Sequence, residues 1–330
     1  MVNFLVEFAI SNADLYLRVI NLNSTIMERR SFLRNTAATI AAFGLAGSIE
    51  SFASVKASPN PAQFKLKYAP HFGMFKNSGG EDLIDQLKFM ADQGFTAFED
   101  NGMMGRDIAL QTKIGETLAN LNMTMGVFVL DKGGNMDNTL AAGKSEFVDI
   151  FLDGCRRAVE VAKRVNAKWM TVVPGGFERN LPTGLQDAHV IEALRRGADI
   201  LEPHGLVMVL EALSDSPDLY LRTSEQSYMI CKAVNSPACK ILYDIYHMQK
   251  NEGNLIHNME LTWDEIAYIQ IGDNPGRKEP TTGEINYKNV FKFIHDKEYP
   301  GVLGMEHGNS IQGLEGEKRL IEAYREVDAF

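Results

Sequence analysis

The sequence predicts an α/β fold, a (β/α)8 barrel, and three observations carry that expectation. Short apolar runs alternate eight times with segments of helical period between residue 64 and the C-terminus, and short strands separated by helical patterns imply a parallel sheet. Several runs close on an oxygen-bearing side chain: Val207 to Leu210 on Glu211, Ile241 to Tyr243 on Asp244, and Val302 to Met305 on Glu306, while Ile266 to Ile271 carries Gln270 near its end. In an α/β barrel, strand interiors are apolar and chemistry sits where strands end. The four polar positions lie 33, 26 and 36 residues apart, each about one strand-plus-helix unit.

The elements follow in order. Phe64 to Ala69 reads as the first strand, closed by His71, and Glu81 to Gln93 as an amphipathic helix ended by Gly94. Phe95 to Phe98 is the second strand, closing on Glu99, with a helix over 108–121 behind it. The third strand, 124–130, ends at Asp131-Lys132 and is followed by a long helical period over 147–165. Strand four is 169–173, broken by Pro174-Gly175-Gly176, with a helix over 186–201 that stops before Pro203. Strand five is 206–210, and Thr223-Ser224-Glu225-Gln226 is a capping box that opens the next helix. Strands six and seven are 240–243 and 266–271; a helix over 287–295, strand eight over 302–305 and a helix over 314–327 complete the ring.

The 330 residues, 45% of them hydrophobic, suffice for one barrel of roughly 250 residues with an N-terminal extension. The barrel is expected over 64–330 and the extension over 1–57. Within the extension, Arg29-Arg30-Ser31-Phe32-Leu33 matches the twin-arginine export pattern, and the alanine-rich run Ala37 to Gly47 follows it. That run is too short for a permanent membrane anchor. Small residues at Ser51 and Ala53, or Val55 and Ala57, offer cleavage sites. Because 26 residues precede Met27, that methionine is the expected initiator, and the expected destination is the periplasm.

The formal net charge of -10 excludes a binder of nucleic-acid backbone, whose affinity depends on clustered Lys and Arg. Cys155, Cys231 and Cys239 form no CxxC or zinc spacing and read as packing residues. The stretch from Asn138 to Ser145 ends in Gly-Lys-Ser but lacks the first glycine of a phosphate loop. GxGxxG, GxSxG and HExxH are absent.

Two glutamates, one aspartate and one glutamine are hard oxygen donors, which suit magnesium or manganese better than zinc or copper. One such acid alone would more often be hydrogen-bonded to a neighbouring loop. Four at one-unit spacing make Glu211, Asp244, Gln270 and Glu306 a candidate site for one divalent cation. His247, three residues beyond Asp244, is a candidate to hydrogen-bond a substrate oxygen. Arg277, in Pro275-Gly276-Arg277, would supply a fork for a substrate carboxylate or hydroxyl pair. His71, Glu99 and Lys132 also end strands and are weaker candidates.

Glu211, the run from Tyr243 to Gln249 with Glu252-Gly253-Asn254, Ile269-Gln270-Ile271, Pro275-Gly276-Arg277, Glu279-Pro280, Gly283 to Tyr287 and Glu306 together resemble the hydroxypyruvate isomerase family, among the xylose-isomerase-like TIM barrels. The resemblance runs from about Phe64 to the C-terminus. It implies a metal held at Glu211, Asp244, Gln270 and Glu306, with Glu211 and Glu306 as proton donor and acceptor. Glutamine at 270 departs from related ketose 3-epimerases, which usually carry histidine there. Ala212-Leu213-Ser214-Asp215 departs from the Pro and Asn that commonly follow the first metal glutamate in the family.

The expected function is conversion of hydroxypyruvate to tartronate semialdehyde through an enediolate. Isomerisation or 3-epimerisation of a free sugar or sugar derivative is the alternative enzyme, and a periplasmic sugar-binding barrel the non-catalytic one.

Overall fold

In the computed structural model, the described residues are 63–330; the twin-arginine segment, Met27 and the expected cleavage sites lie outside them. Strands β1 (Tyr68–Ala69), β2 (Ala97–Phe98), β3 (Thr124–Met125 with Phe128–Val129), β4 (Trp169–Val172), β5 (Val207–Glu211), β6 (Cys239–Asp244), β7 (Ile266–Gln270) and β8 (Leu303–Gly304) all pair in parallel. The ring returns on itself where β8 pairs with β1, Tyr68 opposite Leu303. Between β1 and β2 a single bond, Glu99 N–H to Pro70 O at 3.1 Å, bridges the seam. The expected (β/α)8 barrel is therefore the fold, although most strands are shorter than their apolar runs.

The third strand is two pieces because Gly126 and Val127 bend away, while Gly126 N–H still donates to Phe98 O at 2.6 Å. A Cβ at Gly126 would stand 2.3 Å from the Tyr268 hydroxyl, so this position requires glycine.

Period-two alternation sorts the strand residues into two cores. Ala69, Ala97, Val127, Val207, Val209, Leu242, Tyr268 and Val302 pack together inside the ring. Their neighbours Met208, Leu210, Ile241, Tyr243, Ile269 and Leu303 face outward and join the helices in the larger core.

The helices are α1 (Lys76–Gly79), α2 (Leu83–Asp92), α3 (Ile108–Asn120), α4 (Ser145–Val165), α5 (Thr183–Leu201), α6 (Ser224–Val234), α7 (Ile245–Asn251), α8 (Leu255–Thr262), α9 (Tyr287–Asp296) and α10 (Gly313–Val327). Asp82, Asp107 and Thr223 cap α2, α3 and α6 by accepting backbone N–H bonds in their first turns. The capping box at α6 is half made: Gln226 Oε1 accepts from Arg222 N–H rather than reaching back to Thr223. Helices α7 and α8, between β6 and β7, have no counterpart in the periodicity, since each is short and Gly253-Asn254 breaks them apart. The C-terminus is tied to the first strand by Asp328, which accepts from the Tyr68 hydroxyl and from Lys65 N–H, both at 2.8 Å. All three cysteines are buried and unpaired, in keeping with packing roles.

Helices α3 and α4 are in tight contact at Gly115, where an added Cβ would meet Arg164 O at 2.2 Å and Val165 Cα at 2.9 Å. Backbone atoms cannot swing aside as a side-chain tip can. Gly115→Ala should therefore destabilise the fold by about 1 to 3 kcal/mol, the cost of overpacking a tight contact. Chemical denaturation should show a lower midpoint at unchanged slope; an unmoved midpoint would mean that the helices separate freely there.

Candidate active site

The inward register of each strand continues past its last paired residue. Residues 207, 209 and 211 on β5, 242 and 244 on β6, 268 and 270 on β7, and 304 and 306 at β8 share that register, so Glu211, Asp244, Gln270 and Glu306 stand at the carboxyl end of the ring. His307, next to Glu306, turns outward and its Nε2 meets the Tyr324 hydroxyl at 2.8 Å.

Glu211 is buried and makes no hydrogen bond to a protein donor among the described residues. Burial, then the charges of Glu306 and Asp244, push its carboxyl well above the usual range, with Arg277 acting the other way. Asp244 divides its two oxygens. Oδ1 caps α7 by accepting from Tyr246 N–H at 2.7 Å and His247 N–H at 3.2 Å, which leaves Oδ2 for the site.

Glu306 is held from both sides: Asn101 Nδ2 donates to Oε1 and Arg277 Nη2 to Oε2, each at 2.8 Å. Burial and the Asp244 charge nonetheless push it up to about 8. Arg277 has a left-handed backbone, φ 49°, and lies over the Tyr246 ring. It reaches Asp244 Oδ2 at 3.2 Å as well as Glu306. Asp273 secures the loop that carries it, accepting from Gly283 N–H at 2.8 Å and Ile285 N–H at 3.2 Å.

His247 sits in the first turn of α7, not in a loop, and is fully buried. Ser214 N–H donates to its Nδ1 at 3.1 Å, with the Ser214 hydroxyl at 2.8 Å from the same atom. A backbone N–H can only donate, so Nδ1 is an acceptor and the neutral ring carries its proton on Nε2. Burial, with the nearby Arg277 charge, keeps the ring below its ordinary range and hence neutral. Nε2 has no hydrogen-bond partner and lies 3.6 Å from Asp244 Oδ2 and 3.9 Å from Glu211 Oε1.

Gln270 is buried, and its Oε1 also lacks a hydrogen-bond partner. Its amide group bonds instead to Glu99, which also accepts from the Tyr268 hydroxyl at 3.0 Å. With the NH2 turned to Glu99, the orphaned oxygen is the end left for a ligand. Gly304 makes room for this arrangement, because a Cβ there would overlap the Glu99 carboxylate.

Donor atoms of Glu211, Asp244 and His247 lie within 4.8 Å of one another, a group that could hold a metal ion. The tautomer argues for a different set. A protonated Nε2 cannot ligate, whereas Gln270 Oε1 can. Mutually repelling buried acids beside an unpartnered amide oxygen fit a hard divalent cation.

Asn101 and Ser214 were not singled out as site residues by the sequence, and Glu99 was only one of its weaker candidates. Glu99 shows one usable signal, a strand-end acid in the inward register. Asn101 and Ser214 show none, being short polar residues in loops.

A profile described as xylose isomerase-like TIM barrel matches residues 87–327. Hydroxypyruvate isomerase of Escherichia coli (strain K12) is 35% identical over 177 residues, 53% of this chain and 68% of that protein. The aligned part thus spans only about two thirds of the hydroxypyruvate isomerases it matches. The 2-oxo-tetronate isomerase of Pectobacterium atrosepticum is 29% identical over 246 residues, 70% of this chain and 90% of that protein. Among solved structures, 3-keto-D-glucoside 4-epimerase from E. coli superposes with a TM-score of 0.66 at 18% identity, covering 80% of this chain and all of that one, a likeness of fold.

Because Glu306 is raised, its effect on stability has a definite sign. A carboxyl whose folded value lies above its ordinary 4.5 favours the folded chain while protonated, so that contribution is full below about 4.5 and is lost as pH rises through about 8. Chelator-stripped protein should denature more readily at pH 8 than at pH 5, and Glu306→Gln should flatten that slope. An equally steep slope in the variant would place its source elsewhere.

Proposed function

We propose, on the premise that the chain belongs to the xylose isomerase-like TIM barrel family, that it is a metal-dependent isomerase of the hydroxypyruvate type. Its reaction would convert hydroxypyruvate to tartronate semialdehyde. The observation that carries the reading is the pair Glu211 and Glu306, both raised in pKa, flanking Asp244 and the orphaned Gln270 Oε1. The names of the matching relatives support the reaction class.

Glu211, Asp244, Gln270 and Glu306 would hold one magnesium or manganese ion, which when bound supplies positive charge against the developing enediolate. The side chains do the rest. Moving a carbonyl between adjacent carbons means taking a proton from the hydroxyl-bearing carbon, returning one to its neighbour, and passing the hydroxyl proton from the first oxygen to the second. One of the two glutamates, ionised when the cation is bound, can accept a proton while the other, still protonated, delivers one. They stand three steps apart around the ring and so approach a substrate from different sides.

His247 Nε2–H, with no acceptor among the protein atoms, is placed to donate to a substrate oxygen as negative charge grows on it. Arg277 Nη1 makes no protein hydrogen bond among the described residues and is left for a second oxygen, while Nε and Nη2 hold Glu306. Neither opposed carboxylate is needed by a passive sugar-binding barrel.

Glu211→Gln and Glu306→Gln keep an oxygen ligand and lose the base, so each should lose about 10²- to 10⁴-fold in kcat while retaining metal. Activity on hydroxypyruvate and a panel of ketoses, with deuterium uptake from heavy water, is the measurement. Wild-type protein is expected to lose turnover to a chelator and regain it with magnesium or manganese. Full turnover in metal-bound Glu306→Gln would reduce that residue to a ligand, and preference for a ketose would move the substrate to the sugar alternative.

Export by the twin-arginine route is part of the same proposal, supported by Arg29-Arg30-Ser31-Phe32-Leu33 and the apolar run after it. Protein recovered from the periplasm of its host should begin near Ser54 or Ser58. N-terminal sequencing that finds Met1 or Met27 would end the idea.

A further inference from the structure

The metal-site side chains occupy the half of the barrel mouth formed by β5 to β8. The other half holds a cavity of about 350 Å³ lined by Asn101, Met104, Val129, Lys132, Asn135 and Val173, from the ends of β2, β3 and β4. A second cavity of about 230 Å³ shares Asn101 with it and is bounded by Glu306. Asn101 is thus the bridge: its Nδ2 donates to Glu306 at 2.8 Å, and its Oδ1 is buried with no partner.

Lys132 is only 3% exposed. Two of its three N–H donors go to backbone carbonyls, Gly134 O at 3.0 Å and Asp137 O at 2.7 Å. No carboxylate among the described residues forms an ion pair with it. Two arginines at the mouth are matched: Arg106 is forked onto Asp100, and Arg277 onto Asp244 and Glu306. A buried ammonium offset only by the through-space charge of Asp137, with no direct ion pair, is costly, and residues 131–138 are nonetheless built around it, with Asn138 Nδ2 clamping Lys132 O at 2.7 Å. Burial draws the ammonium down to about 8, so it still carries most of its charge at neutral pH.

We propose that Lys132 is the anion anchor of this enzyme, its third N–H binding the carboxylate of a short hydroxy acid whose reacting carbons lie between Glu211 and Glu306. The assignment rests on the isomerase reading for the position of those carbons. It selects acids over neutral sugars, because a carboxylate supplies the missing counter-charge and a hydroxyl does not.

The test compares glycerate with its neutral amide, glyceramide, by calorimetric titration of manganese-loaded protein. Wild type should prefer the acid. Lys132→Gln, which keeps donors for the Gly134 and Asp137 carbonyls, and Lys132→Met should each weaken glycerate by about ten- to a hundredfold, the range of a charge-assisted bond, and leave glyceramide nearly unchanged. KM for hydroxypyruvate should rise by a similar factor, with kcat less affected. Equal losses for acid and amide would reduce Lys132 to a loop support and overturn the anchor, as would no loss in either variant or no preference in wild type. Hydroxypyruvate turned over with unchanged KM by Lys132→Gln would remove the anchor and leave the reaction standing. Acid selectivity that vanishes in Lys132→Gln, in an enzyme inert toward hydroxypyruvate, would keep the anchor and remove the reaction.

Discussion

Four carboxyl groups, Glu99, Glu211, Asp244 and Glu306, share the top of a ring whose floor is apolar, and their charges oppose one another. Burial is the largest cause of the upward shifts at Glu99, Glu211 and Glu306, and neighbouring carboxylates add to it. The protein answers with donors aimed at particular oxygens. Tyr268 and Gln270 serve Glu99, the α7 N-terminus serves Asp244, and Asn101 and Arg277 serve Glu306. Glu211 is left out of this set, so its electrostatic cost is met by proton uptake or by a cation.

The placement of that cluster was legible because strand alternation is strictly periodic. A polar side chain in the inward register at the end of a parallel strand has one direction to face, and Glu211, Asp244, Gln270 and Glu306, at one-unit spacing, share one rim. What could not be read is whatever depends on loops approaching from another part of the chain. Ser214 fixes the tautomer of His247 from 33 residues away, and Asn101 reaches Glu306 across 205. Helices α7 and α8 were invisible for another reason: α7 begins at the strand's last residue, so Asp244 ends one element and caps the next within a single side chain.

The motifs behind the family resemblance divide when their contacts are followed. In Gly283 to Tyr287, Asn286 caps α9 and the Tyr287 hydroxyl grips Gly272 by both its N–H and its carbonyl, so this stretch secures the loop after β7. Glu252 accepts from Ser224 N–H, and Glu279 from Ser310 N–H. Each supports a backbone segment near the mouth. Besides Glu211 and Glu306, only Asp244, His247, Gln270 and Arg277 from these stretches carry groups into the cluster, and three of them, Asp244, His247 and Arg277, also hydrogen-bond backbone. The text is therefore specific to a scaffold as much as to a reaction.

Glutamine at 270 imposes demands that a histidine ligand would not. An amide presents its oxygen or its NH2 with nearly the same shape, so something behind it must select the oxygen. Glu99 does so by accepting from the NH2, and it is itself steadied by the Tyr268 hydroxyl. Both groups occupy space that ordinary side chains would fill. Gly304 admits the Glu99 carboxylate and Gly126 admits the Tyr268 hydroxyl, each in a volume where a Cβ would clash. Residues 99, 126, 268, 270 and 304 thus form one coupled unit drawn from β2, β3, β7 and β8. A ligand of neutral charge is consistent with this unit: the barrel interior already carries Glu99 behind Gln270, and a fourth carboxylate ligand at that position would face it directly.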